Sequence, residues 1–268
     1  MSSASKTVVV TGGASGIGLA TVHHLHQIGW QVISLDLPDR TDVPALKKLG
    51  IECLGIDVND EALMRDVEKR IVDKHGAIAA LVNSAGVIQK REKPEELPMK
   101  DWDFVVNTDF RGTYLSCVVF ADSMLKAGTG SIVNIASVTS FRAVPLHAYA
   151  PAKAAVMSLT QTLAGEWGHR GIRVNAVAPG YTLTPALQAA IDRGDRDSKS
   201  LTRQAALGRM VMPEEVAHGI AFLISDQARA ITGITMPIDC GWLASTGWET
   251  YGGLAHTHDS TQTKAGAR

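Results

Sequence analysis

Short runs of β-branched residues alternate with longer helical patterns along most of this 268-residue chain, and this alternation limits its possible folds most strongly. The β-branched runs are mostly continuous apolar sequence, which is typical of strands covered by helices on both faces. Alternation of this kind predicts a parallel sheet with crossover helices. We therefore expect an α/β fold with about seven strands and helices on both faces of the sheet.

The expected elements can be placed along the chain from the same pattern. We predict strands near residues 7–11, 31–35, 51–56, 79–83, 131–136, 172–177 and 234–238. We predict helices near residues 16–28, 42–49, 60–75, 101–127, 149–169 and 213–225. Since no repeat or linker divides the chain, we expect residues 1–268 to form a single domain.

The composition excludes several classes of function. The net charge is −1 and 20% of the residues are charged, which argues against a nucleic-acid partner or a polybasic membrane surface. Residues 1–7 do not resemble a secretory signal, and no apolar run approaches the roughly 18–20 residues that span a bilayer. We expect a cytoplasmic protein without membrane partners.

A glycine-rich loop follows the first predicted strand and opens the first predicted helix. Its sequence, over residues 11–18, is Thr-Gly-Gly-Ala-Ser-Gly-Ile-Gly. Glycines let the backbone approach a pyrophosphate closely, and a helix N-terminus offers free N–H groups to an anion. The pattern predicts a Rossmann-type doubly wound sheet that binds a dinucleotide, with an ordinary glycine-rich turn as the alternative. The expected cofactor-binding residues here are Gly12, Ser15, Gly16, Ile17 and Gly18.

Asp36 ends the second predicted strand, 18 residues after Gly18. A carboxylate at this place can accept hydrogen bonds from the adenosine ribose hydroxyls, and it would repel a 2′-phosphate. We therefore expect NAD as cofactor, and NADP is less favoured although Arg40 lies nearby. The alternative is that Asp36 is only a turn residue at the end of a strand.

Tyr149 and Lys153 are four residues apart on a predicted helix, and Ser137 follows a predicted strand twelve residues before Tyr149. Four residues are about one helical turn, so the phenol and the ammonium would project from one face. A cation beside a phenol lowers its pKa and makes it a usable acid or base. With the glycine loop, this pair indicates hydride-transfer chemistry. The alternatives are a half-buried tyrosine with a surface lysine, and a serine that only caps a turn.

With these motifs, the chain resembles the compact single-domain branch of the short-chain dehydrogenase/reductase family over about residues 6–243. The motifs that carry the resemblance are Thr-Gly-x-x-x-Gly-x-Gly at 11–18 and Tyr-x-x-x-Lys at 149–153 with Ser137. The resemblance adds further expected cofactor contacts, which are Asp57, Val58, Asn83, Ala85, Gly86, Pro179, Gly180, Thr182 and Thr184, beside Tyr149 and Lys153. Ser84 stands where the family has a second asparagine, and Asn107 matches the family's catalytic asparagine. A buried structural amide is the alternative for Asn107.

The resemblance implies a mechanism for four catalytic residues. Tyr149 would take the proton of a substrate hydroxyl while hydride leaves the carbon for nicotinamide, or would run the reverse reduction. Lowering a tyrosine pKa from about 10 to about 7 needs roughly 4 kcal/mol, and Lys153 with the oxidised nicotinamide would supply that field. Ser137 would orient the substrate oxygen. Asn107 would hold a water that links Lys153 to solvent.

The substrate is less constrained than the reaction. Arg142 and His147 lie between the expected catalytic residues and could contact an acidic group or a polyol hydroxyl, or could be a solvent-facing cation and a packed loop histidine. Trp242 and Trp248, with Tyr251, could stack on a sugar ring or fill a subunit interface. Residues 184–208 are a candidate substrate lid or a surface loop, and residues 245–268 form a C-terminal tail.

We expect an enzyme that transfers hydride between NAD and a sugar, polyol or other small secondary alcohol. The alternatives are a reductase of 3-oxoacyl thioesters or similar ketones, and a dinucleotide-sensing regulator without catalysis. The resemblance also implies a homotetramer built through the long helices at 101–127 and 149–169 and the C-terminal strand.

Overall fold

Seven parallel strands form one sheet in a computed structural model, which describes residues 6–254. The strands are β1 (Thr7–Thr11), β2 (Gln31–Asp36), β3 (Glu52–Gly55), β4 (Ile78–Asn83), β5 (Gly130–Ile135), β6 (Ile172–Pro179) and β7 (Thr235–Ile238). Their order is β3-β2-β1-β4-β5-β6-β7, and each neighbouring pair is parallel. This order confirms the predicted Rossmann-type sheet. The order of the strands along the sheet changes from descending to ascending between β1 and β4. Sheets of this kind bind ligands in the crevice at that point.

Helices cover both faces of the sheet. They are α1 (Gly16–Gln27), α2 (Pro44–Lys48), α3 (Glu61–His75), α4 (Met99–Val106), α5 (Gly112–Ala127), α6 (Tyr149–Trp167), α7 (Pro185–Asp192), α8 (Ser198–Thr202), α9 (Pro213–Ile224) and α10 (Trp242–Ser245). The predicted helix at 42–49 is shorter, because it begins at Pro44, whose fixed φ suits a first helical turn. The predicted helix at 149–169 ends at Trp167 and continues as one 3₁₀ turn, Gly168–Arg170.

The apolar side chains of the strands pack into two separate hydrophobic cores, one on each face of the sheet. In β1, Val9 packs with Leu81 of β4 and with Val67 of α3 on one face. Val8 and Val10 pack with residues of α1 and α9 on the other face. Successive strand residues point to opposite faces, so a strand that is buried on both sides must be apolar at every position. This is the physical reason that the apolar runs predicted the strands so closely.

The predicted helix at 101–127 is interrupted. It begins at Met99, and a π-helical turn over Asn107–Arg111 separates α4 from α5. Such turns widen a helix and often lie at functional sites. Gly112 follows the turn, and a Cβ there would stand 2.6 Å from a methyl group of Val58. The glycine therefore lets this helix approach the end of β3 closely.

The C-terminal part of the described chain carries a short 3₁₀ turn, Trp248–Tyr251, after α10. The predicted tail at 245–268 continues past Leu254, and that remainder lies outside the described residues. Within residues 6–254, no helix is both long enough and apolar enough to cross a membrane.

Candidate active site

A cavity of about 660 Å³ opens at the carboxyl ends of β1, β2 and β4, beside the start of α6. Most of the predicted cofactor residues line it, together with Asn107: Gly12, Ser15, Gly16, Ile17, Asp36, Asp57, Val58, Ala85, Gly86, Tyr149, Lys153 and Thr184. Residues far apart in sequence are thus brought to one edge of the sheet. The cavity has the size and position of a ligand site in an open α/β sheet.

The glycine loop fits a phosphate-bearing ligand. Gly16 has a φ of +53°, and a Cβ on Gly12 would stand 2.7 Å from the backbone of Ala85. The Thr11 hydroxyl oxygen accepts hydrogen bonds from the N–H groups of Ser84 and Ala85, both at 3.2 Å, and so ties the loop to the end of β4. Among the described residues, no side chain caps α1 and none in its first turn is acidic. Its first N–H groups are therefore available to an anion.

The carboxylate of Asp36 is fixed at the end of β2. Its Oδ2 accepts a hydrogen bond from the N–H of Ala14 at 2.9 Å, and its Oδ1 accepts one from the N–H of Leu37 at 2.8 Å. The side chain thus joins the strand end to the glycine loop, and it lines the cavity. Arg40 lines the same part of the cavity. The hydrogen bond with Leu37 is of the kind expected for a turn residue at the end of a strand, so this alternative describes part of what Asp36 does.

Tyr149 and Lys153 lie one turn apart at the start of α6, and both line the cavity. The Lys153 Nζ atom is 5.5 Å from the centroid of the Tyr149 ring. This Nζ donates to the backbone oxygen of Ile135 at 3.0 Å and lies 3.1 Å from Oδ2 of Asp109. Lys153 is 4% exposed, so its charge acts in a region that holds little water.

The groups around Tyr149 act on its pKa in opposing directions. Burial raises the pKa of Tyr149, Lys153 lowers it, Asp109 raises it, and a hydrogen bond with Ser137 lowers it; the net direction is upward from 10.0. Lys153 thus acts in the expected direction, and the expected lowering in the complex with oxidised dinucleotide stays a prediction. For Lys153, burial lowers the pKa, but the Asp109 and Tyr149 charges outweigh it and the net pKa is raised.

Asp109 is a buried residue beside Lys153 that the sequence interpretation missed. It lies in the π-helical turn, is 0% exposed, and contacts Lys153 directly. Asn107, the predicted catalytic asparagine, begins the same turn and lines the cavity, but its side chain is exposed. Its role stays a prediction. No local pattern in the sequence distinguishes Asp109 from the nearby Asp101, Asp103 and Arg111.

Two further residues hold the start of α6. Ser137 is 6% exposed, and its hydroxyl oxygen accepts a hydrogen bond from the N–H of Thr139 at 3.2 Å. Gln89, which the sequence interpretation also missed, is 3% exposed. Its Oε1 accepts hydrogen bonds from the N–H groups of Ala148 at 2.7 Å and Tyr149 at 3.3 Å. Gln89 thus satisfies two N–H groups at the N-terminus of the helix that carries Tyr149.

Some predicted cofactor residues do not line this cavity; they are Gly18, Asn83, Pro179, Gly180 and Thr182. The Asn83 side chain is buried and donates to the side-chain oxygen of Asn134 at 2.9 Å. The hydroxyl of Thr182 donates to the backbone oxygen of Gly180 at 3.0 Å. The side chains of Asn83 and Thr182 thus make structural hydrogen bonds, and the contacts of all five residues with a cofactor stay predictions.

The predicted substrate residues are dispersed. Arg142 is exposed and donates to the backbone oxygen of Phe141 at 3.2 Å. His147 lines a separate, shallow hollow beside Pro145. Trp242 is 9% exposed and packs edge-on against Tyr181, whereas Trp248 is 53% exposed. None of these four residues lines the main cavity. Over residues 6–254, no group of three or more His, Cys, Asp or Glu side chains is arranged to hold a metal ion.

The chain matches a family model described as enoyl-(acyl carrier protein) reductase over residues 12–243. It is also 36% identical over 245 residues to D-threitol dehydrogenase of Mycolicibacterium smegmatis, covering 88% of this chain and 92% of that one. The chain is a member of the short-chain dehydrogenase/reductase family. This family binds nicotinamide dinucleotides, and its members include oxidoreductases that act on alcohols and ketones.

Other relatives in the family differ in their substrates. An NAD-dependent glycerol dehydrogenase of Listeria innocua is 38% identical over 241 residues, covering 88% of this chain and 93% of its own. The 3-oxoacyl-[acyl-carrier-protein] reductase FabG of Thermotoga maritima is 36% identical over 247 residues, covering 88% and 97%. Relatives named for the dehydrogenase chemistry and for the reductase chemistry thus have similar sequence identities to this chain.

Solved structures show the same fold. One from Brucella melitensis 16M, described as ribose-5-phosphate isomerase, is 43% identical with a TM-score of 0.88 and covers 94% of this chain and 98% of its own. ElxO with NADP bound is 31% identical with a TM-score of 0.85 and covers 90% and 99%. ElxO thus binds NADP, whereas the name of the glycerol dehydrogenase among the sequence relatives describes an NAD-dependent enzyme.

Proposed function

We propose that this member of the short-chain dehydrogenase/reductase family is an NAD-dependent oxidoreductase that acts on a small polar secondary alcohol. The observation that carries the proposal is the placement of Tyr149 and Lys153 in the same cavity as the glycine loop and Asp36. A proton acceptor and a dinucleotide cradle thus share one enclosed space. Hydride transfer between an alcohol carbon and nicotinamide requires both.

The protein residues would manage the proton and the orientation of the substrate. Tyr149 takes the hydroxyl proton as the carbon–oxygen bond becomes a carbonyl, and it returns that proton in the reverse direction. Ser137, whose hydroxyl lowers the pKa of Tyr149, orients the substrate oxygen beside it. Lys153 stabilises the phenolate that forms. When bound, the dinucleotide supplies the two-electron acceptor for the hydride that leaves the alcohol carbon.

The preference for NAD rests on Asp36. Its carboxylate is held in place by two backbone N–H groups, so it cannot swing away to admit a 2′-phosphate without losing both hydrogen bonds. An anion fixed at this end of β2 favours a free ribose hydroxyl and opposes a phosphate. The name of the NAD-dependent glycerol dehydrogenase supports the same choice, whereas ElxO binds NADP. Arg40 is the residue that would favour NADP here.

Several relatives favour a polyol as substrate. The names of the threitol, glycerol and galactitol dehydrogenases among the relatives describe small polyhydroxy alcohols. Reduction of a 3-oxoacyl thioester is the second candidate, because FabG is among the relatives. The predicted substrate residues do not strengthen either choice, because none of Arg142, His147, Trp242 and Trp248 lines the cavity. Residues 184–208 stay a proposed lid; Thr184, Pro185 and Ala186 line the cavity at its start.

A substrate panel tests the proposal. Purified protein would be incubated with sugars, polyols, hydroxy acids and 3-hydroxyacyl thioesters, each with NAD and with NADP, while the absorbance of reduced nicotinamide is followed. We expect turnover with NAD and at least one polyol or sugar. Preference for a thioester would select the reductase. Silence across the panel, with tight binding of the dinucleotide, would favour the sensing regulator.

Ribose 5-phosphate belongs in the same panel, because the Brucella melitensis protein is described as its isomerase. An isomerase would convert it without any change in the absorbance of reduced nicotinamide, so the product must be assayed directly. We expect no conversion. The homotetramer that the family resemblance implies stays a prediction.

A further inference from the structure

The carboxylate of Asp109 is a fully enclosed charge beside the proposed active site, and the proposed mechanism does not use it. Asp109 is 0% exposed, its Oδ1 accepts a hydrogen bond from the N–H of Val87 at 2.8 Å, and its Oδ2 lies 3.1 Å from Nζ of Lys153. Taking two charges out of water costs several kcal/mol for each ion, and attraction between them offsets this only with good geometry. Such a pair needs a reason beyond stability.

The pair fixes the position of Lys153. One of the three ammonium donors reaches the backbone oxygen of Ile135 at 3.0 Å, and Oδ2 of Asp109 lies 3.1 Å from the same nitrogen. These two anchors come from β5 and from the π-helical turn, and they hold Nζ 5.5 Å from the centre of the Tyr149 ring. The Lys153 side chain is therefore held at both ends, by α6 and by these two acceptors.

The pair also forms part of the cavity wall, beside Gly86. A Cβ added to Gly86 would stand 3.4 Å from both Oδ2 of Asp109 and Nζ of Lys153. Gly86 itself lines the cavity, as do both members of the pair. A Cβ at this position would be in van der Waals contact with both charged groups, so the pair lies directly beside the backbone that lines the cavity.

We propose that Asp109 is a positioning residue that holds Lys153 beneath Tyr149 and offsets its positive charge there, and so sets the pH range in which the site works. The proposal rests on the proposed function, because it takes Tyr149 as the acid and base. It assigns no contact between Asp109 and the substrate.

The other charged groups nearby do not compete for this role. Among the described residues, the charges that bear on Tyr149 are those of Lys153 and Asp109. Arg111, in the same π-helical turn, donates to the backbone oxygen of Asn59 at 3.1 Å. Asp57, at the end of β3, accepts a hydrogen bond from the N–H of Asn59 at 2.9 Å. Both side chains are thus engaged with Asn59.

The direction of the effect follows from the sign of the charge. A negative charge opposes loss of a proton from Tyr149 and from Lys153 alike. Because the two groups are coupled, their protons leave in steps that belong to the pair. Removal of the Asp109 charge therefore lowers the apparent pKa of the first step whichever group loses the proton.

The test compares Asp109→Asn with the parent protein in the pH dependence of kcat and kcat/KM for alcohol oxidation. We expect the acid limb of both profiles to move to lower pH by about one unit or more, the usual scale for a charge within a few ångströms. Asp109→Glu, which keeps the charge, should stay near the parent profile. Asp101→Asn removes an exposed charge from the same helical segment and is the matched control. Equal profiles for Asp109→Asn and the parent would overturn the proposal.

A second readout needs neither cofactor nor substrate. The ultraviolet absorbance of tyrosinate would be titrated in the cofactor-free protein, and the same titration of Tyr149→Phe would be subtracted to isolate Tyr149 from the other three tyrosines. We expect Tyr149 to titrate above its ordinary range in the parent. In Asp109→Asn, from which the titration of the double variant with Tyr149→Phe is subtracted, we expect Tyr149 to titrate at lower pH than in the parent. If Asp109→Asn does not fold, the parent titration still decides: a Tyr149 pKa below its ordinary value would refute the offset. A silent substrate panel would leave this test intact, so failure of the proposed function and failure of this inference are separable.

Discussion

The Asp36 carboxylate should decide between NAD and NADP, and Asp36→Asn isolates its charge. The side chain has two tasks, since it would meet the ribose and also accepts a hydrogen bond from Ala14 at 2.9 Å. Asparagine keeps one carbonyl oxygen that can still accept from Ala14, so the glycine loop stays tied to β2. Asp36→Ala would remove both tasks together and weaken both dinucleotides.

The size of the effect follows from Coulomb's law. Two unit charges about 5 Å apart interact with about 3 kcal/mol at an effective dielectric constant of about 20. Asp36 is only half-buried, so water and salt reduce this to about 1.5–3 kcal/mol, or about 10- to 100-fold in affinity. We therefore expect the ratio of the NADPH to the NADH dissociation constant to fall by about 10-fold or more in Asp36→Asn.

Fluorescence titration of both reduced dinucleotides measures that ratio directly. Asp39→Asn is the matched control, because Asp39 is an exposed carboxylate three residues away that does not line the cavity. Its ratio should match the parent's. Equal affinity for the two dinucleotides in the parent, or an unchanged ratio in Asp36→Asn, would refute the assigned role of the charge.

Two further predictions concern the supports of the site. Gln89→Leu leaves two N–H groups at the start of α6 unpaired and should lower the free energy of unfolding, measured by urea denaturation, by about 2 kcal/mol. Gln89→Glu keeps the acceptor and should lose much less stability. Equal stability of Gln89→Leu and the parent would contradict this prediction. Deletion of residues 193–197, between α7 and α8, should raise the KM of the alcohol more than the dissociation constant of NADH, since no residue of α7 is fully buried. An unchanged KM would make this segment an ordinary surface loop.

The strands and long helices could be predicted from the sequence because each is specified locally. A strand buried on both faces must be apolar throughout, and positive-φ glycines such as Gly29 and Gly50 mark the turns between elements. The helices α8 and α10 have five and four residues and are too short to show a helical period. The π-helical turn at Asn107–Arg111 was also missed, because no local pattern marks it; it lies beside a contact between distant segments, Gly112 and Val58.

The site was predictable where a motif repeats a local geometry and was not where charges meet across the fold. The glycine loop and the Tyr149–Lys153 spacing are local features of one turn and one helix. The pairing of Asp109 with Lys153 joins residues 44 positions apart, and Gln89 reaches Ala148 across 59 positions. The opposing effect of Asp109 on the Tyr149 pKa could therefore not be foreseen, since it depends on a contact between distant residues.

Steady-state turnover of Tyr149→Phe, measured beside its affinity for NADH, tests the acid–base assignment most directly. Phenylalanine keeps the ring and removes only the group that exchanges the substrate proton. We predict that kcat for alcohol oxidation falls by about 10³-fold while the NADH dissociation constant stays within about threefold of the parent's. Turnover close to that of the parent, with the variant folded and binding NADH, would contradict the account.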